Sequence, residues 1–174
     1  MKSYWVLFLI GLAVWLLIFI SPYIGIEPPQ TSYTTSIIRG YDEDPFFRYS
    51  INTFPIKVEA LDADQMVFND SVKIGVAGQM NEMHFGRLPI SASTTKILEI
   101  ENNEETTAKA RIEVYGQMSA FTEAIDAGQL LPPHKKSEIR IKCKPPSAGN
   151  YTGELKMVII SPKSSFLEQL LKLM

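Results

Sequence analysis

The feature that most restricts how this chain can fold is a period of two running through its second half. In Val72-Lys73-Ile74-Gly75-Val76 apolar residues alternate with Lys73 and Gly75. In Ala110–Tyr115, Ala110, Ile112 and Val114 share one parity, and Arg111 and Glu113 the other. Ile139-Arg140-Ile141-Lys142-Cys143-Lys144 repeats the pattern, as do Leu98 and Ile100 against Glu99 and Glu101, and Leu155, Met157 and Ile159 around Lys156. Successive side chains of a strand point to opposite faces, so this alternation predicts strands with one buried and one wet face.

The intervals between these runs are turn-like. Asn102-Asn103-Glu104-Glu105 predicts a hairpin-like connection between its flanking strands. Leu131-Pro132-Pro133-His134 and Lys144-Pro145-Pro146 predict strand ends, because proline cannot donate to a ladder. About six to eight short strands at this spacing, with no amphipathic helix among them, predict an all-β fold, an antiparallel immunoglobulin-like sandwich over residues 56–162. A chain of 174 residues suits one such domain with a small addition.

The start of the chain obeys a different rule. Tyr4 to Ile20 carries no charge, and apolar character continues through Tyr23, Ile24 and Ile26. A membrane crossing needs about 20 such residues, so residues 1–26 are expected to form one transmembrane signal anchor, in contact with the lipid bilayer through residues 4–26. A cleaved signal peptide is the competing reading, but Ser21-Pro22-Tyr23 offers no small-residue cleavage site. Lys2 precedes the stretch, while Glu27 and Asp42-Glu43-Asp44 follow it. The positive-inside bias then predicts a single-pass protein of the cell membrane, N-terminus cytoplasmic and C-terminal domain extracytoplasmic. The sequons Asn69-Asp70-Ser71 and Asn150-Tyr151-Thr152 make Asn69 and Asn150 glycosylation candidates and agree with that side. Residues 27–55 are expected to be a linker and partly ordered stalk, stiffened by Pro28-Pro29. Phe46, Phe47, Tyr49 and Phe54 within it are apolar beyond a linker's needs and show no clear period; they are expected either to form a preceding strand or to cover one end of the sandwich.

A resemblance rests on the order of several short signals. His84-Phe85-Gly86-Arg87-Leu88-Pro89 precedes Ser93-Thr94-Thr95-Lys96 and the strand Ile97–Glu101, which runs into Asn102-Asn103. Next come a strand at 109–115, Phe121, Leu131-Pro132-Pro133, a strand at 137–143, and Gly149-Asn150-Tyr151-Thr152-Gly153. This order over residues 72–161 resembles immunoglobulin-like domains of the major-sperm-protein and ASPM–SPD-2–Hydin type, and is similar to modules of envelope proteins. The resemblance implies a binding or spacer role and supplies no catalytic residue.

After Pro162 the period changes to that of a helix. Ser165-Phe166-Leu167-Glu168 matches a capping box. Phe166, Leu167, Leu170, Leu171 and Met174 fall on one side of a short amphipathic helix, residues 163–174. So short a helix needs its stripe buried, either on the chain's own sandwich, on a protein partner, or at the membrane surface. These five residues are the partner-binding candidates.

Chemistry is sparse. The two histidines, His84 and His134, and the single Cys143 make no metal-ligand spacing. Cys143 shares the parity of Ile139 and Ile141 and reads as core. Asp62, Asp64, Asn69 and Asp70 are the best oxygen cluster, but without an EF-hand order they are weak metal candidates. No phosphate-loop, dinucleotide or nucleophile-elbow motif is present. A net charge of −2 with scattered basic residues argues against nucleic acid. The expectation is a non-enzymatic, cofactor-free, membrane-anchored module for protein–protein contact or structure. The alternatives are an accessory subunit of an integral membrane complex and a calcium-dependent module.

Overall fold

A computed structural model describes residues 11–13, 15, 37–62 and 82–173. Residues 11–13 and 15 are helical, and among the described residues no helix is long and apolar enough to cross a membrane. The rest of the expected anchor, and the expected strand at 72–76, lie outside the described residues.

Two β-sheets build the fold. The larger has the order β1-β2-β9-β5-β7, with β3 also on β2. Its strands are β1 (Ile38–Glu43), β2 (Phe47–Leu61), β3 (Met83–Pro89), β5 (Ala108–Gly116), β7 (Leu130–Leu131) and β9 (Gly149–Pro162). The smaller has the order β4-β8-β6, made of β4 (Thr94–Asn102), β6 (Thr122–Ala124) and β8 (Lys135–Cys143). Every pairing is antiparallel except β2 with β3. A helix, α1 (Ser165–Leu173), closes the chain.

The main core lies between the sheets. Ile56, Val58, Phe85, Ala110, Ile112, Leu155 and Met157 of the large sheet meet Leu98, Ile100, Ile139, Ile141 and Cys143 of the small one. The alternating residues of the sequence are thus the two inner faces. A second core lies on the outer face of the large sheet, where Leu167 and Leu171 of α1 cover Phe47, Tyr49, Val158 and Ile160. Full burial of such side chains contributes roughly 1.5–3 kcal/mol each.

Of the expected linker and stalk at 27–55, residues 27–36 lie outside the described residues, and from Ile38 the chain is strand, the alternative expected for the aromatic stretch. The large sheet begins at Ile38, and Phe47 is wholly buried. The aperiodic aromatics have a physical reason. Phe47, Tyr49 and Ile51 of β2 face α1 at odd positions, whereas Phe54, Ile56 and Val58 face the main core at even positions. One long strand serves two cores, so its apolar phase flips midway. Pro55 sits near the flip, where β1 pairing has ended at Thr53 and β3 pairing starts at Ile56. A residue without an N–H is tolerated best where a neighbouring strand is missing.

The connection at Asn102–Glu105 is also different from a hairpin. β4 pairs with β8 and β5 with β9, so residues 102–107 cross from one sheet to the other. Buried Asn102 organises the crossing: its amide donates to the carbonyls of Thr106 (3.0 Å) and Leu131 (2.8 Å). Its side-chain oxygen accepts from the N–H of Glu104 at 3.1 Å.

The Phe85-Gly86 pair makes a bulge. Lys57 is opposite His84 and Glu59 opposite Arg87, so two residues of β3 face one of β2. Gly86 takes the extra position at φ 86°, a region that favours glycine. Phe85 and Leu88 therefore both reach the core.

Candidate interaction surface

The β1–β2 hairpin gives the large sheet one of its open edges. Its turn is held by Asp44, whose Oδ1 accepts from the N–H groups of Phe46 and Phe47, both at 2.7 Å. Its Oδ2 accepts from the Tyr49 hydroxyl at 2.6 Å. The acidic run Asp42-Glu43-Asp44 is therefore split: Asp42 and Glu43 end β1, and the Asp44 carboxylate is engaged in the turn.

β1 pairs with β2 on one side only, and its other edge carries no strand among the described residues. Its side chains are solvent-exposed, with Ile38 at 51% and Tyr41 at 86%. Arg39, Tyr41 and Glu43 lie opposite Asn52, Ser50 and Arg48, which puts them on the inner side of the sheet. There the sheet extends past the small sheet, leaving a cleft of 380 Å³ lined by Tyr41, Arg48, Ser50, Glu104 and Ser161 among others. Arg48 pairs with Glu104 at 3.1 Å, and Lys163 with Glu43 at 3.1 Å. The cleft offers hydrogen-bonding and aromatic surface.

A second groove of 640 Å³ runs past β6 and the end of β8, lined by Ser91, Ser119, Phe121, Glu123, Lys142 and Lys144 among others. Phe121 meets Tyr151 edge-on, with ring centroids 5.0 Å apart. Neither histidine lines this groove, so its serines have no imidazole to activate them.

The outer face of the large sheet beyond α1 is polar. Arg111 pairs with Glu113 at 2.6 Å, and the Tyr115 hydroxyl donates to Glu113. Burial, with Glu113 adding to it, pushes the Tyr115 phenol up to about 12. In β9, Glu154 is opposite Tyr115 and Lys156 opposite Glu113, and Glu154 is buried.

The candidates named from sequence are scattered. Asp62 is exposed just past β2, while Asp64, Asn69 and Asp70 lie outside the described residues. Among the described residues no three His, Cys, Asp or Glu side chains are grouped to hold a metal. Asn150 is exposed near the start of β9, opposite Glu59. Leu167 and Leu171 are buried in the chain's own second core, so the chain itself occupies the centre of the helix stripe. Phe166 is 73% exposed. The side chain of Leu170, and Met174 altogether, lie outside the description. Glu168 is bonded by the Thr107 hydroxyl, which ties α1 to the crossing loop.

Exposed His84 accepts at Nδ1 from the N–H of Gly86 at 3.0 Å, and partial burial together with nearby Lys57 lowers its pKa. His134, at φ 53°, lies 3.1 Å from Glu105. Cys143 is fully buried, and burial pushes its thiol up. The residues that sequence reasoning missed are Arg39 and Tyr41. Their one signal is two large side chains flanking Gly40 at alternate positions, and it was obscured by their place before the aperiodic stretch.

Comparison with family models, curated proteins and solved structures finds no match.

Proposed function

We propose that this chain is a non-enzymatic protein-binding module, held at a membrane by residues 4–26 and displayed on the extracytoplasmic side, with an immunoglobulin-like sandwich as its body. The observation that carries this reading is the open β1 edge beside the 380 Å³ cleft. An unpaired strand edge offers a row of backbone donors and acceptors to an extended segment, while neighbouring side chains select it. The two-layer β arrangement around one core supports the immunoglobulin-like reading. The uncharged run from Tyr4 to Ile20 supports the anchor, as does the exposure of Leu12 and Trp15 on helical backbone.

The runner-up is an accessory subunit whose apolar segment packs on other membrane helices. One experiment separates the two. Residues 1–26 are replaced by an unrelated single-span anchor, and proteins captured from detergent are compared with those captured by the original chain and by a Tyr41→Lys variant. A binding module keeps its partner after the anchor exchange and loses it with Tyr41→Lys. Loss after the exchange, with retention by the Tyr41 variant, makes the chain an accessory subunit.

A further inference from the structure

We infer that the segment received by the β1 edge is the same edge of a second copy, paired antiparallel about a two-fold axis through Tyr41. This rests on the binding-module reading and names the partner of that surface. A two-fold perpendicular to a sheet leaves each face on its own side, so the centre of an isologous strand pair falls on one residue facing itself. Along Ile38–Glu43 the inner centres to compare are Gly40, Tyr41 and Asp42.

The three centres differ sharply in chemistry. About Gly40, Arg39 faces Tyr41 and Ile38 faces Asp42, with no opposite-charge pair. About Asp42, two carboxylates face each other, which is repulsive. About Tyr41, Arg39 of each copy faces Glu43 of the other, so symmetry makes two opposite-charge pairs on the inner face. They flank a cross-strand pair of tyrosines, and Gly40 faces Asp42 without a clash. Arg39 is exposed and forms no ion pair among the described residues, while Tyr41 is 86% exposed. Glu43, although 3.1 Å from Lys163, keeps a 69% exposed side chain that can take Arg39 of the other copy as a second partner, and the strand is self-complementary in this register alone of the three.

Pairing would join the two large sheets into one across the axis and bring the two clefts, each lined by Tyr41, to either side of the aromatic pair. A six-residue ribbon buries little area, so the contact is weak in dilute solution. Tethering at a membrane raises the effective concentration of one copy for the other and favours it.

Cysteine trapping on the full chain in detergent tests the register. The native Cys143 is fully buried, so an introduced cysteine is the reactive thiol. At a cross-strand position the Cα atoms lie about 4.5–5.5 Å apart, inside the ~4.4–6.8 Å range of disulfides. Tyr41→Cys is therefore expected to give a disulfide-linked dimer on mild oxidation. Ile38→Cys is expected to stay monomeric, because its two copies fall six strand positions apart, about 20 Å. Arg39→Glu should weaken association about tenfold, through two like-charge contacts, and Arg39→Glu with Glu43→Arg should restore it. Equal trapping at both positions, or at neither, overturns the inference, as does failure of the double exchange to restore association. If trapping fails while Tyr41→Lys still abolishes capture of a different protein, the binding-module reading stands and only the second copy is refuted. If neither effect is seen, both fall.

Discussion

Removing the side chain at Asn102 should destabilise the fold more than any surface change of similar size. The residue is 4% exposed and its amide satisfies the carbonyls of Thr106 and Leu131, while its oxygen satisfies the N–H of Glu104. In Asn102→Ala the Leu131 carbonyl is left in a buried site without that donor, at a cost of about 1–3 kcal/mol. The two part-buried bonds are partly replaced by water, adding roughly 0.5–1 kcal/mol together. The expected loss is thus about 2–4 kcal/mol, or roughly 5–15 °C in Tm at ~2–4 °C per kcal/mol. The assay is far-UV circular dichroism of the full chain in detergent, heated beside the parent. A Tm within about 1 °C of the parent, well under ~0.5 kcal/mol, would refute the idea that this amide locks the crossing between sheets.

The isosteric Asn102→Asp sharpens the test. An ionised carboxylate has no proton to donate and would face two carbonyl oxygens, whereas the protonated acid donates one bond. The folded state therefore holds the proton, and the folded pKa rises above the unfolded value of about 3.9. Stability relative to the parent is then retained below the unfolded pKa and lost as pH rises through the folded one. The gap in Tm between variant and parent should widen steadily from about pH 4 to pH 7. A gap independent of pH would mean the carboxylate finds a donor, contrary to the geometry.

Leu171→Ala should cost about 2–4 kcal/mol by opening a cavity in the second core, whereas Phe166→Ala, at a 73% exposed position, should stay within ~0.5 kcal/mol; paired thermal melts check both. Gly153→Ala should be more disruptive than its single methyl suggests, because the new Cβ would lie 2.5 Å from the Tyr115 carbonyl oxygen, and the same melts should show a loss of ~2 kcal/mol or more. The Tyr115 phenol, pushed up to about 12 by burial and Glu113, should ionise late in an ultraviolet titration. Its folded pKa is raised, so its stabilising contribution holds below the unfolded value of about 10 and is lost as pH climbs from there through the folded value; tyrosinate absorbance completed below pH ~11 would contradict the Glu113 contact.

The parts of this fold legible in the sequence were those where one strand faces one core. β4, β5 and β8 alternate cleanly because each has a single apolar face, and their limits fall close to the turn residues that flank them. β2 was legible only as one of two alternatives for its aromatic stretch, because its two halves bury opposite faces and a periodic reading cancels when the phase flips. The crossing at Asn102 was misread as a hairpin because local turn chemistry is the same whether the chain returns to its own sheet or passes to the next. Only a partner distant in sequence, the Leu131 carbonyl, distinguishes the two. α1 was read as a helix with a buried stripe, and Leu167 and Leu171 bury that stripe on the chain's own sheet. The edge residues Arg39 and Tyr41 carried no signal beyond two large side chains flanking Gly40, since exposure of an edge is a property of the whole sheet order.

The same sheet order leaves β1 as an open edge among the described residues. Each face of the large sheet is covered in part: the inner face by the small sheet, and the outer face by α1 over Phe47, Tyr49, Val158 and Ile160. At the far edge β7 covers only Ala108 and Lys109 of β5, β3 fills half of the β2 edge, and β4 and β6 of the small sheet each pair with β8 alone. Among the open edges of the described residues, β1 is the one beside the 380 Å³ cleft, held in place by an Asp44 turn and, through β2, by the second core. α1 therefore acts on that edge at one remove: it fixes the odd positions of β2, which fix the plane in which β1 presents its backbone. Loosening α1 should blur the edge before it melts the main core, and Leu171 is thus a positioning residue for a surface it does not touch.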